Sequence, residues 1–221
     1  PPKPMTDYRC KTVDAAQWES LLDFTRRSNT TLIFGLNNLF GRPTKTKPEK
    51  KLCSETSCPP RDQSNIKDLL QWTVQNIPDA SKVIYGFELG NELNSCLNGD
   101  AGARTQGEDF IALEDLMAQI WPGTPILMGP DTHSAAEFSQ SGLSWFKTFV
   151  GTAQHAVSWF TFHMYSIGNG ENLDPQKLDA SYLNATALNK AGEGAKSLRE
   201  LLPSDRKGSL VAGETAAANN G

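Results

Sequence analysis

The sequence predicts an α/β fold, part of an eight-stranded (β/α)8 TIM barrel, on three observations. Short apolar runs alternate with segments of helical periodicity, the pattern of a parallel sheet covered by helices on both faces. Nearly every apolar run ends in a polar residue able to line a site, namely Asn37, Asn91, Glu92, Asp131, His163, Tyr165 and Glu214. Functional side chains of barrels sit at such strand ends. The Gly-rich phosphate turn of a doubly wound sheet is missing. Five strands are legible where a closed barrel needs eight, so residues 1–221 read as a single but incomplete barrel domain.

The elements follow in order. Ala15, Trp18, Leu21, Leu22 and Phe24 fall at helical spacing between Val13 and Ser28, with Asp14 suited to the N-terminal end. Thr30 to Asn37 reads as a short buried strand. A long loop rich in Pro and Lys runs to Pro60, and a helix covers Ser64 to Gln75. Strands are expected over Val83–Leu89, Pro125–Asp131, Val157–Tyr165 and Ser209–Glu214, with helices over Gly107–Ile120, Ser141–Gln154 and Ser181–Leu202 between them.

The 221 residues, 38% of them hydrophobic, suffice for one sizeable core. A formal net charge of -4 gives no global footprint for nucleic acid or an anionic membrane, and no apolar stretch is long enough to span a bilayer. The chain opens Pro1-Pro2-Lys3-Pro4, which reads as a processed or trimmed piece. The spacing of Cys10, Cys53, Cys58 and Cys96 matches neither a zinc ribbon nor a redox pair. Together, the sequons at Asn29 and Asn184 favour a secreted or lumenal route, in which Cys53 and Cys58 can close a small ring; the other reading is four thiols in a cytosolic enzyme.

Glu92 and Glu214 each end an apolar run, and on parallel barrel strands they open onto one face despite their distance in sequence. Two facing carboxyl groups are the minimum machinery for cleaving a glycosidic bond. Read alone, several neighbours have plainer roles. His163 serves equally well as a core histidine, Asp131 as the start of a turn, His133 as a surface residue and Glu88 as a structural contact below the mouth.

The runs Phe34-Gly35-Leu36-Asn37, Glu88-Leu89-Gly90-Asn91-Glu92-Leu93, Gly129-Pro130-Asp131, His163-Met164-Tyr165 and Gly213-Glu214-Thr215 resemble, in order and spacing, the heparanase-like β-glucuronidases of glycoside hydrolase family 79. The resemblance runs from about Cys10 to Gly221 and implies barrel strands three to seven. The rest of the barrel and a β-sandwich domain would lie outside this chain, supplied by further polypeptide of the same enzyme. It also implies a retaining hydrolase that needs no metal or organic cofactor, with Glu92 as general acid/base holding a proton near neutral pH and Glu214 as the ionised nucleophile. Asn91 would contact the sugar 2-hydroxyl, Tyr165 would orient Glu214, and Asn37, Asp131 and His163 would line the substrate site.

Asn219, Asn220 and Gly221 stand where the family generally places a Tyr and a Gly-rich turn against the uronic acid carboxylate, which weakens the expected preference for glucuronides. Leu93 replaces the Pro found after the acid in animal members, a mild change. The basic loop from Arg42 to Lys51 reads either as a clamp for an anionic polysaccharide or as a solvated loop. The functional expectation is cleavage of β-glucuronidic linkages in a polysaccharide or glucuronide. A clan relative acting on a neutral β-glycan and a non-catalytic glycan-binding homologue are the alternatives.

Overall fold

In the computed structural model, the described residues are 12–39, 41–42, 58, 60–133, 139–168, 180–216 and 218. They form a five-stranded, all-parallel sheet in the order β1-β2-β3-β4-β5: Leu32–Leu36, Ile84–Leu89, Ile126–Thr132, Trp159–Tyr165 and Leu210–Ala216. Neighbours in space are neighbours in sequence. Unmixed parallel pairing in sequence order is how a (β/α)8 barrel is wound, so the chain is part of one.

Helices α1 (Ala15–Arg27), α2 (Ser64–Asn76), the single turn α3 (Ala80–Val83), α4 (Gly99–Ile120), α5 (Gln140–Ala153) and α6 (Ala185–Leu201) connect the strands. Asp14 begins α1 with a capping box: its carboxylate accepts from the Gln17 amide at 2.8 Å, and the Gln17 side chain accepts from the Asp14 amide at 3.1 Å. The Trp18 indole N–H donates to Thr73 Oγ1 at 3.0 Å, joining α1 to α2. The core lies between sheet and helices. Phe87 packs edge-on against Trp121, and Phe110, Phe146, Phe149 and Phe160 form a fully buried aromatic group under α4 and α5.

The expected strands and helices are present, with one boundary moved substantially. Helix α4 starts at Gly99, eight residues before the expected Gly107. Glycines at 99, 102 and 107 interrupt the apolar periodicity of this stretch. Gly107 has a packing role: a Cβ there would lie 2.7 Å from Thr152 Cβ of α5, so the absent side chain permits close approach of the two helices, while a Cβ at Gly102 would run into the Leu97 backbone. Gly107→Val is therefore expected to destabilise the protein by about 1–3 kcal/mol. Denaturant unfolding of the complete protein measures this, and an unchanged midpoint would refute the close contact.

Cys58 is disulfide-bonded, and Cys53 lies outside the described residues. Cys96 is a buried thiol whose pKa is raised by burial. Among the described residues, no helix is long and apolar enough to cross a membrane.

Candidate active site

The polar strand ends converge at the C-terminal edge of the sheet. Gly90, at φ 87°, turns the chain away from β2, and Glu92 follows in the left-handed region at φ 53°. The Glu92 amide donates to the Asp131 carbonyl at 2.8 Å, which docks the end of β2 on the end of β3. Asp131 is itself left-handed at φ 50°, and its amide donates to Thr161 Oγ1 of β4 at 3.0 Å. Such backbone strain in non-glycine residues is commonly stored at functional sites.

His163 occupies the middle. Its side chain is 2% exposed; Nδ1 lies 3.0 Å from Glu92 Oε1 and 3.6 Å from Glu214 Oε2, and Nε2 lies 3.6 Å from Asp131 Oδ1. Burial opposes its charge, but hydrogen bonding to Asp131 and Glu92 and the charges of Asp131 and Glu214 outweigh that and push its pKa up to about 10. It is an imidazolium across the neutral range. The Tyr165 hydroxyl, two residues on and on the same strand face, donates to Glu214 Oε2 at 2.7 Å, and this bond, with burial, lifts the phenol to about 12.

The structure thus brings Glu92, Glu214, Asp131, His163 and Tyr165 together. His163 is deeply buried, as a core histidine would be, and is bonded to Glu92. Glu92, His163 and Glu214 each bring one ligand atom to within 4.8 Å of the others, a spacing compatible with a cation. As an imidazolium, however, His163 offers Glu92 a proton rather than a lone pair to a metal.

Other expectations change. Burial raises the pKa of Glu92, but the His163 hydrogen bond and the His133 and His163 charges lower it further, so the group sits below the usual carboxylate value. It is ionised near neutral pH, contrary to the proton expected there. His133 is no plain surface residue: its Nε2 lies 4.0 Å from Glu92 Oε2. Glu88 is more than a structural contact. Burial first, then the Asp131 charge, raises it to about 7 against the opposing His163. Asn37 Oδ1 accepts from the Leu39 amide at 2.8 Å, a local turn, while Asn91 is exposed.

Arg42 is no polysaccharide clamp. Its side chain is fully buried, paired with Asp109 of α4 and donating from Nε to the Asn38 carbonyl at 2.9 Å. Arg61 is buried beside this group. The remainder of the basic loop, with Asn219, Asn220 and Gly221, lies outside the described residues. Asn29 is exposed in the turn after α1, and exposed Asn184 accepts from the Thr186 amide at 2.9 Å to start α6.

The structure is a parallel half-barrel whose strand ends gather two carboxylates within reach of each other, an arrangement compatible with glycosidase barrels. The chain belongs to glycosyl hydrolase family 79: the sequence model of that family's N-terminal domain matches residues 5–221. It is similar to heparanase-like protein 3 of Arabidopsis thaliana, with 26% identity over 209 residues, covering 92% of this chain and 35% of the relative. It is also similar to heparanase-like protein 1 of the same plant, with 29% identity over 176 residues, covering 76% and 29%. The chain thus spans about a third of these relatives. In fold it resembles a monomeric β-xylosidase from Caulobacter crescentus CB15, with TM-score 0.50 and 15% identity over 91% of this chain and 39% of the other. It likewise resembles the GH39 enzyme from Xanthomonas axonopodis pv. citri, with TM-score 0.51 and 15% identity over 92% and 40%.

A pH test of the site follows from Glu88. A carboxyl raised in the folded state contributes stability that is fully present below its unfolded value and lost as pH rises through about 7. Glu88→Gln removes that loss. The Tm of the variant relative to wild type is expected to climb between about pH 5 and pH 8. A constant difference across that window would show that Glu88 does not titrate in this cluster.

Proposed function

We propose that this chain carries the catalytic floor of a retaining glycoside hydrolase that cleaves β-glucuronidic linkages in an acidic glycan or glucuronide. The observation that carries the reading is the Tyr165–Glu214 hydrogen bond of 2.7 Å with a Glu92 carboxylate atom within 4.8 Å. This spacing fits the about 5–5.5 Å carboxyl separation of retaining enzymes better than the about 6.5–9.5 Å of inverting ones. Glu214, oriented by the phenol, attacks the anomeric carbon. Glu92 protonates the departing oxygen and then, as a base, activates the water that hydrolyses the glycosyl-enzyme.

Glu92 can act as an acid only in the fraction that carries a proton, and His163 makes that fraction small near neutrality. The reading therefore calls for acidic working conditions. The Cys58 disulfide and the sequons at Asn29 and Asn184 favour a secreted or lumenal setting. Further polypeptide of the same enzyme would complete the barrel beside β1 and β5, whose strand edges are otherwise open to pairing.

In the complete enzyme, kcat/KM is expected to be highest at acid pH and to fall as pH rises, beginning below the value of about 4.3 for an ordinary Glu. An optimum above neutrality would refute Glu92 as the acid. Glu214→Gln should abolish the glycosyl-enzyme. Glu92→Gln should slow natural glycans far more than aryl glycosides with good leaving groups, and equal losses on both would overturn the division of roles.

Asn219 favours a second reading, a neutral β-glycan substrate, because it stands in place of a phenolic donor to the uronate. A paired assay of a β-glucuronide and its β-glucoside decides. A modest glucuronide preference, raised about tenfold by Asn219→Tyr, supports the first reading. Faster hydrolysis of the glucoside, unaffected by that change, supports the second.

A further inference from the structure

The ladder between β2 and β3 ends at the Glu88–Met128 pair, and the two chains meet again where the Glu92 amide reaches the Asp131 carbonyl. In the gap between these points, the side chain of Gln106 takes the place of the ladder. Gln106 projects from the second turn of α4 and is completely buried, and its Nε2 donates to the Leu89 carbonyl at 3.3 Å and the Pro130 carbonyl at 3.4 Å. One amide thus spans the two strand ends. Leu89 immediately precedes the Gly90-Asn91-Glu92 turn, and Pro130 immediately precedes Asp131.

What lies beyond those carbonyls is the strained part of the backbone, Glu92 and Asp131 both in the left-handed region. Conformations of this kind persist only where the surroundings over-determine them. Thr161 holds the Asp131 amide, Asn94 Oδ1 holds the His133 amide at 3.0 Å, and Gln106 holds the two chains just upstream. The other end of the Gln106 amide is unused: Oε1 is buried and has no hydrogen-bond partner among the described residues. A methionine would fill similar volume without burying an unsatisfied acceptor, so the value of glutamine here lies in its two donated bonds.

We propose that Gln106 is a positioning residue for the acid/base: its amide sets the ends of β2 and β3 against each other and so aims Glu92 at the leaving-group oxygen. This rests on the role given to Glu92 above. Loss of the bridge would leave Glu214 on β5 in place and shift the turn that carries Asn91 and Glu92 by a fraction of an ångström, and the misplaced proton donor matters most where departure needs protonation.

The test uses the full-length enzyme, with Gln106→Met removing the donor and Gln106→Glu donating only while protonated. Two glycosides of one sugar are compared, one with a good aryl leaving group and one with a poor alkyl leaving group, alongside Tm. For Gln106→Met, kcat/KM on the poor leaving group should fall by about tenfold or more, with less than about a twofold change on the good one. Gln106→Glu should recover toward wild type on the poor leaving group as pH is lowered, which decides the matter even if Gln106→Met fails to fold. Equal losses on both substrates, or a lowered Tm with an unchanged ratio and no recovery for Gln106→Glu, would reduce Gln106 to a packing residue and overturn the proposal. A wild type inactive on such glycosides of both glucuronic acid and glucose would overturn the acid/base reading and this inference with it; a wild type active on either pair with a flat variant response overturns this inference alone.

Discussion

The site depends on a buried cation. Glu88, Glu92, Asp131 and Glu214 come from three regions of the chain, the end of β2, β3 and β5, to one end of the sheet, and four carboxyl groups at that spacing repel one another strongly unless some are protonated or a positive charge stands among them. His163 supplies that charge. Burial alone would discharge it, so the cation depends on the carboxylates around it, and its charge in turn offsets part of their repulsion. The backbone is adapted to this arrangement. The β3–β4 register shifts between Gly129 and Thr132, and the β4–β5 register shifts between Phe162 and His163. Both irregularities lie next to the residues concerned, as expected where a strand must re-aim a side chain. After the second shift His163 stands directly opposite Glu214.

The sheet order and most elements were legible because a parallel sheet writes itself in continuous apolar runs separated by helical periodicity. The start of α4 was not, since Gly99 and Gly102 carry no hydrophobic signal and are poor helix formers. In the site, Glu92, Glu214 and Tyr165 were legible from their places at or beside strand ends. The raised pKa of Glu88 was not legible, because position along the strand says which residue reaches the mouth but not how far charge acts through a poorly hydrated interior. The ionised state of Glu92 was misread for a related reason: its controlling partner lies 71 positions away, and no local pattern announces the contact. Arg42 misled by composition. It opens a run of basic residues, yet its guanidinium belongs to the interior.

That Arg42 group supports the site from the other side. The Arg42 guanidinium binds both the carbonyl and Oδ1 of Asn38, whose Cβ would lie 3.3 Å from a Cβ at Gly90. The turn leading to Glu92 is therefore backed by a side chain pinned through Arg42 to Asp109 on α4. Buried ion pairs of this kind are weak contributors to net stability, because desolvation offsets much of their attraction, but removing one partner is costly. The pair is better understood as fixing where the β1 loop lies. Helix α4 thus reaches the Glu92 turn by two routes, Asp109 through Arg42 and Asn38, and Gln106 through the strand-end carbonyls.

The two carboxylates are held very unequally. Glu92 is 28% exposed, its amide bonded to Asp131, its carboxylate bonded to His163 and near His133. Glu214 is 49% exposed on β5, and among the described residues its carboxylate has one hydrogen bond, from Tyr165. Residues 212–216 of that strand are exposed, whereas β3 and β4 are almost wholly buried. A strand of a parallel sheet is normally covered on both faces, so β5 has surface that a neighbouring strand would cover. On the barrel reading, this segment by itself fixes the position of Glu92 and its bond to His163, while Glu214 takes much of its environment from strands beside β5.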